Sequence, residues 1–276
     1  MKCGFVLPGG DAQTGGDMAS AAENAGWDGL FVWEPVWGID AWVTLAVAAV
    51  RTKKIRLGTM ISPLSRMRPW KLASEALTLD RLSKGRVIIS VGLGSIDTGF
   101  KQFGEETDRK TRAELVDESL EIVTGLWHGQ PFNYSGKHYR VRETKFMLPP
   151  PPVQKPRIPI WIVGAWPKAK SMGRALRYDG ILPTIAQSDG SFARPGVEDV
   201  RKVAEFVQTK RSVKKRFDIV VEADNTTSAL KQASQFAKAG ATWWIDSMWS
   251  QTDKMFTRKG KSKVLKKIEQ GPPRAD

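Results

Sequence analysis

The chain has 276 residues, a net charge of +14 and an isoelectric point near 9.9. A chain this long can bury a large core without covalent or metal staples. Its single cysteine, Cys3, excludes an intrachain disulfide, and with only two histidines, His128 and His138, beside it, a metal site built on His and Cys is not expected.

Short apolar runs alternate with longer amphipathic ones. Cys3 to Leu7 is the first apolar run, and Cys3 itself is expected to be a packed, inert thiol. Asp17 is then expected to cap a helix that runs through Ala25 and ends at Gly26. Gly29 to Trp33 is the second run. Residues 40 to 51 open on Asp40 as an N-cap and are apolar nearly all round, the mark of a buried helix. Ile55 to Ser62 reads as a third strand, Pro69 as the first turn of a helix that LSKG ends, and Arg86 to Val91 as a fourth strand. Residues 109 to 127 carry a helical apolar period through Leu115, Val116, Leu120, Ile122, Val123, Leu126 and Trp127. The proline-rich stretch after it has room for a short hairpin. Strands follow at 159 to 164, 179 to 184, 217 to 223 and 241 to 248. Helices separate them at about 167 to 177, 197 to 212 and 226 to 239, and a basic helix closes the chain at about 262 to 270.

Eight strands rich in Val, Ile and Leu, alternating with helices, predict an α/β fold with a parallel sheet covered on both faces. Eight units in this length match one (β/α)8 TIM-type barrel over 1–276, with no domain boundary inside it. A doubly wound open sheet is the runner-up, weakened because no GxGxxG follows the first strand.

A barrel of this kind builds its site from the C-terminal ends of its strands. Those ends hold Leu7, Trp33 to Trp37, Thr59 to Pro63, Gly92 to Ser95, Gly164 to Lys168, Thr184, Glu222 and Trp249. The set is aromatic and glycine-rich with few charges, which suits a large planar ligand. Gly92 and Gly94 end strand four, and Gly164 and Ala165 precede a helix near Lys168. Such turns are either ordinary turn chemistry or places where backbone approaches a phosphate. GTMISP, around Met60 and Ile61, is either an ordinary strand end or a special backbone feature pressed against a ligand. Glu34, in FVWEPVW, is either an acid or base at the pocket mouth or a charge paired with Arg66 or Arg68 at the rim. Trp33 and Trp37 either pack that rim or wall off water.

Positive charge gathers late, in KRSVKKR at 210 to 216 and KMFTRKGKSKVLKK at 254 to 267. Solvated helix faces are the plain explanation, and a nucleic-acid-associated protein is the lesser alternative, without a motif to support it. No run approaches the roughly 20 apolar residues of a membrane span. The apolar run of MKCGFVLPGGD is too short for a signal peptide, so a cytoplasmic protein is expected.

The stretches GFVLP, AENAGWDGLFVWE, AVRTKKIRLGTMISPL, LDRLSKGRVIISVGLG, LWHGQPFNYSGKHYRV, PPPPVQKPRIPIWIVGA and DGILPT occur in order along nearly the whole chain. In these the chain resembles the luciferase-like monooxygenase superfamily. The resemblance implies a (β/α)8 barrel with FMN or a deazaflavin coenzyme (F-420) at its C-terminal mouth, acting on a small organic substrate. It also implies a separate flavin reductase or direct hydride exchange with substrate, and it suggests a homodimer. It implies a nonprolyl cis bond at Met60–Ile61, beside Thr59 and behind the ring system. It implies a phosphate end at Gly164, Ala165 and Trp166, near Gly92, Gly94 and Ser95, with Lys168 adding charge. Leu7 and Trp33 complete the implied cofactor site, and Trp37, Thr184 and Trp249 the substrate pocket. The departure is at Glu34–Pro35, where many members carry an Asp–His pair; proline cannot shuttle a proton, which leaves Glu34 as the candidate acid or base. A barrel that holds a flavin without turnover is a second reading.

Overall fold

The computed structural model describes residues 1–211, 215–223 and 229–273. Eight parallel strands close a barrel: β1 (Lys2–Leu7), β2 (Gly29–Val32), β3 (Arg56–Thr59), β4 (Val87–Gly92), β5 (Ile160–Trp166), β6 (Gly180–Ala186), β7 (Asp218–Ala223) and β8 (Trp243–Asp246). Each pairs with the next, and β8 returns to β1 with Lys2 opposite Trp243 and Phe5 opposite Asp246. Closure excludes the open doubly wound sheet. Helices α1 (Ala12–Asn24), α2 (Ala41–Arg51), α3 (Pro69–Leu82), α4 (Arg109–His128), α5 (Ala169–Leu176), α6 (Val197–Lys210), α7 (Ala229–Lys238) and α8 (Arg258–Glu269) lie outside it.

The lumen is a packed core. Phe31 of β2, Trp161 of β5 and Trp243 of β8 meet there with ring centroids 5.2 to 6.0 Å apart, among Val6, Met60, Ile88, Leu182, Val220 and Ile245. Offset and edge contacts of this kind add to the burial of three large rings, and truncating one would cost about 3–5 kcal/mol. A filled lumen leaves no tunnel, so a ligand has room only above it, at the strand ends. Opposite Ile88, near the start of β4, Gly58 is what lets β3 approach that strand. A Cβ at that position would stand 1.9 Å from the carbonyl oxygen of Ile88.

Three expectations need correction. Helix α1 begins at Ala12, capped by Asp11, whose carboxylate accepts the Thr14 N–H at 2.7 Å, and not at Asp17. Gly15 and Gly16 disguised its first turns; a Cβ on Gly15 would meet Thr44 Cγ2 of α2 at 2.4 Å, so the pair serves close helix packing. The run Ile55–Ser62 is not one strand. It ends at Thr59, and after the cis Met60–Ile61 bond a two-residue strand, Ser62–Pro63, pairs with the end of β4. The last helix starts at Arg258, with Thr257 as its cap, four residues before the expected start. The hairpin expected in the proline-rich stretch forms between Tyr134–Ser135 and Arg140–Val141; Glu118 of α4 anchors its turn by accepting the N–H groups of Lys137, His138 and Tyr139.

The basic clusters are partly absorbed by the fold. Lys261 pairs with Asp11 and Lys267 with the buried Asp246. Residues 212–214 of the first cluster, and 226–228 of the expected seventh helix, lie outside the described residues. Among the described residues no helix is long and apolar enough to cross a membrane, and no group of acidic, histidine and cysteine side chains could hold a metal.

Candidate active site

At the C-terminal ends of the strands lies a cleft of about 700 Å³, within the roughly 300–1,000 Å³ of small-molecule sites. Trp33, Glu34, Met60, Ile61, Val163 and Trp249 line one part of it. Trp33 and Trp249 meet edge to face at 6.1 Å, and Trp249 donates its indole N–H to Glu222 Oε1 at 2.7 Å. Arg194 reaches the same oxygen at 2.8 Å, so the wall ring is held by a carboxylate that is itself held. Beside this aromatic wall, Met60 and Ile61, joined by a cis peptide bond, line the cleft.

The part beside β4 and β5 is different. Gly94, Ser95, Arg109, Arg112, Ala165 and Ser171 line it. Gly94 takes a left-handed φ of 78°, and a Cβ there would press Phe100 and Pro63 at 2.7 Å, so only glycine suits this turn. Arg112 is buried in the first turn of α4. It donates to the carbonyls of Leu93 and Gly94 at 3.2 and 3.1 Å, while its Nε is buried with no protein partner. A buried guanidinium with a spare donor, next to Arg109 and two hydroxyls, favours an anionic group.

Glu34 sits where β2 ends. Its Oε1 accepts the Trp42 indole N–H at 2.6 Å. Its Oε2 is shut from solvent and takes no well-formed hydrogen bond; the nearby Ser62 hydroxyl donates to Thr59 Oγ1 instead. Burial pushes the Glu34 carboxyl up to about 7, against the opposing pull of Ser62, Trp42 and the Arg66 charge. Arg66 is not a direct ion-pair partner. Its Nη2 donates to the backbone carbonyls of Glu34 and Pro35 at 3.1 and 2.7 Å.

Of the cofactor, substrate and acid–base candidates named from sequence, the cleft brings together nine, Trp33, Glu34, Met60, Ile61, Gly94, Ser95, Ala165, Thr184 and Trp249, and the strand-end residues Pro63, Leu93 and Glu222 join them. The others sit elsewhere. Leu7 and Thr59 are buried in the barrel, with Thr59 Oγ1 bonded to Ser62. Gly92 and Gly164 lie under the lining, where a Cβ would strike Ile61 at 2.5 Å and Ile181 at 2.4 Å respectively. Trp166 turns onto Phe206 of α6. Lys168 is the exposed N-cap of α5, and the Ala165 amide is not bare, since it donates to Ser171 Oγ at 2.9 Å. Trp37 is 83% exposed and faces a separate depression. Sequence reasoning missed Arg109, Arg112, Phe192 and Ser171. A signal for the arginines existed: Arg109, Lys110 and Arg112 put three cations in the first turn of a helix, against its dipole, which favours acids there.

A family model described as luciferase-like monooxygenase matches residues 4–264. Over 223 residues the chain is 31% identical to Rv3520c of Mycobacterium tuberculosis, a protein assigned as a coenzyme F420-dependent oxidoreductase, covering 73% of this chain and 62% of that one. Over 214 residues it is 28% identical to an F420-dependent glucose-6-phosphate dehydrogenase of Amycolatopsis mediterranei, covering 69% and 63%. The chain thus spans a little under two thirds of the length of both relatives. Among solved structures, the coenzyme F420-dependent tetrahydromethanopterin reductase of Methanopyrus kandleri superposes with a TM-score of 0.75 at 16% identity, over 98% of each chain. That likeness speaks for the barrel alone. Since the family model covers almost the whole chain, from within β1 into α8, this protein belongs to the luciferase-like monooxygenase family.

Proposed function

We propose that the chain binds a deazaflavin coenzyme in the cleft and uses it to oxidise or reduce a small organic substrate. One observation carries the reading: the cleft pairs an apolar, aromatic wall with a cationic end. Trp33, Trp249, Met60 and Ile61 suit a planar ring system. Arg109, Arg112, Ser95 and the Gly94 turn suit the anionic portion of the same ligand. The two relatives described as F420-dependent favour deazaflavin over FMN. When bound, the coenzyme supplies hydride exchange, and the protein supplies position, water exclusion and proton handling.

Within that division Glu34 is the proton-handling group. Its carboxyl titrates near neutrality because it is buried, so it can hold or release a proton at Oε2 at working pH. Trp42 fixes Oε1 and thereby the direction of the carboxyl. Trp33 and Trp249 shelter that side of the cleft from water. Thr184 is left to meet substrate, and the Phe192 ring backs the Arg109 guanidinium, whose carbon lies 4.4 Å from the ring centroid. A cytoplasmic setting belongs to the same reading, supported by a lone buried Cys3 thiol. A partner reductase is not needed where substrate itself exchanges hydride, and a second copy of the chain stays an expectation of the family.

The test is titration of purified chain with deazaflavin coenzyme and with FMN, followed by ligand fluorescence. Turnover is then assayed with propan-2-ol and glucose 6-phosphate as probe donors. Micromolar or tighter deazaflavin binding, with FMN at least about tenfold weaker, is expected. Binding of FMN alone would move the protein to flavin chemistry, and binding of neither would sink the reading.

A further inference from the structure

Glu34 faces two spaces. Besides the main cleft it lines a second depression of about 310 Å³, between the turn after β2 and the start of α3. It is the one residue common to the linings of both, among the described residues. Three buried polar atoms without protein partners belong to residues lining this depression: Glu34 Oε2, Glu75 Oε2 and Arg66 Nε. Two acceptors and a donor on residues around one depression are groups that ordered water satisfies; all three atoms are shut from solvent, so a side-chain rotation has to open each of them to water in the depression, whose volume is well above the about 30 Å³ a water occupies in the liquid. Glu75 lies between interior and solvent. Its side chain is 17% exposed, and its other oxygen meets Lys71 Nζ, on a side chain 68% exposed, at 3.1 Å.

We propose that Glu75 is a proton relay, joining Glu34 to bulk solvent through waters held in this depression while the main cleft is filled by ligand. The step rests on the reading of Glu34 as the proton-handling group. A proton leaving Glu34 Oε2 passes to water, water passes a proton to Glu75 Oε2, and Glu75 releases it to solvent. The reverse order recharges Glu34. Only O–H bonds break and form, and no electrons move. The surroundings suit the traffic: burial raises both carboxyls above their ordinary range, each opposed by a cation, Arg66 beside Glu34 and Lys71 beside Glu75. Asp40 and Arg68 line the same space and complete its charge. Arg66 is held in place by the Glu34 and Pro35 carbonyls, which leaves Nε for water. Glu75 is thus a positioning residue for protons, acting through Glu34.

The decisive experiment is a flash-released pH jump on the deazaflavin-loaded protein, or the FMN-loaded protein if that ligand binds, read by infrared absorption of the Glu34 carboxyl. Glu34→Gln identifies the band by removing it. Glu75→Gln is expected to slow the appearance of the band about tenfold or more, and Glu75→Asp to restore most of the rate, with ligand affinity unchanged in both. A purely structural Glu75, pairing with Lys71 on the surface of α3, predicts no change in that rate. Equal rates in wild type and Glu75→Gln, with the band present, would overturn the relay alone. Absence of any Glu34 band titrating around pH 7 would overturn the reading of Glu34 and the relay with it.

Discussion

Glu34→Gln tests the burial argument on stability, with no ligand present. Raising a carboxyl from 4.5 to about 7 corresponds to about 3 kcal/mol, at about 1.4 kcal/mol per pKa unit. The sign follows from which state holds the proton more tightly. The folded protein does, so folding is undisturbed by this group below pH 4.5 and loses stability as pH rises from 4.5 to about 7. Above that the full cost of a buried, ionised carboxylate applies. Oε2 is shut from solvent while the residue as a whole keeps some exposure, so about half of the figure survives screening. Glutamine keeps the acceptor for the Trp42 indole and removes the charge. At pH 8.5 the variant is therefore expected to melt about 3 °C above wild type, at about 2 °C per kcal/mol for a chain of this size. At pH 4.5 the two should coincide. Scanning calorimetry of the ligand-free chain at both pH values reads the difference. A gap that is equal at the two pH values, or a variant less stable at pH 8.5, would refute the claim that burial sets the charge of Glu34.

Arg112→Met removes the buried guanidinium while keeping much of its apolar stem. Deazaflavin affinity should fall about 10- to 100-fold, the value of about 1.5–3 kcal/mol for hydrogen bonds to a charged group. Fluorescence titration measures it, and an unchanged Kd would remove the anionic end from the cleft. Gly58→Ala forces a methyl onto the Ile88 carbonyl, where backbone meets backbone. A loss of at least about 3 kcal/mol is expected, beyond the range of ordinary overpacking, and denaturant unfolding would show it; a mild loss would mean that β3 and β4 are less tightly apposed.

The barrel was legible because most of its strands are short runs rich in Val, Ile, Leu and Trp that alternate with amphipathic helices, and runs of that kind need cover on both faces. Reading strand ends as the candidate site picks out Trp33, Glu34, Met60, Ile61 and Trp249, and all five line the cleft. Two kinds of residue escaped. Arg109 and Arg112 come from a helix start well beyond the end of β4, and only the chain's return path brings them back over the mouth. Leu7, Thr59, Gly92 and Gly164 do not line the cleft, for the opposite reason. They are at strand ends, but side-chain alternation turns Leu7 toward α1 and Gly164 toward Met172 of α5, while Thr59 is fully buried and Gly92 is covered by Ile61. Trp37 shows a third limit: an aromatic four residues past Trp33 follows a turn, and the turn carries it to 83% exposure.

In the proposed function, the Glu34–Pro35 pair bears directly on how this barrel handles protons. A histidine at position 35 would bring a ring that titrates near neutrality by its own chemistry. Proline removes that ring and an N–H and leaves the backbone carbonyl, which with the carbonyl of Glu34 holds Arg66. The remaining acid must then be brought to neutrality by its environment. Burial does this, with Trp42 orienting one oxygen and leaving the other without a partner. A carboxyl tuned by exclusion of solvent has a difficulty that an exposed histidine lacks: the dryness that raises its pKa also cuts its exchange with bulk water. A second, polar opening on its far side resolves that conflict, because it lets protons in without flooding the cleft in which a ligand would lie. On this reasoning the substitution of the pair and the presence of the outer depression belong together, and a chain with histidine at position 35 would have no need of Glu75.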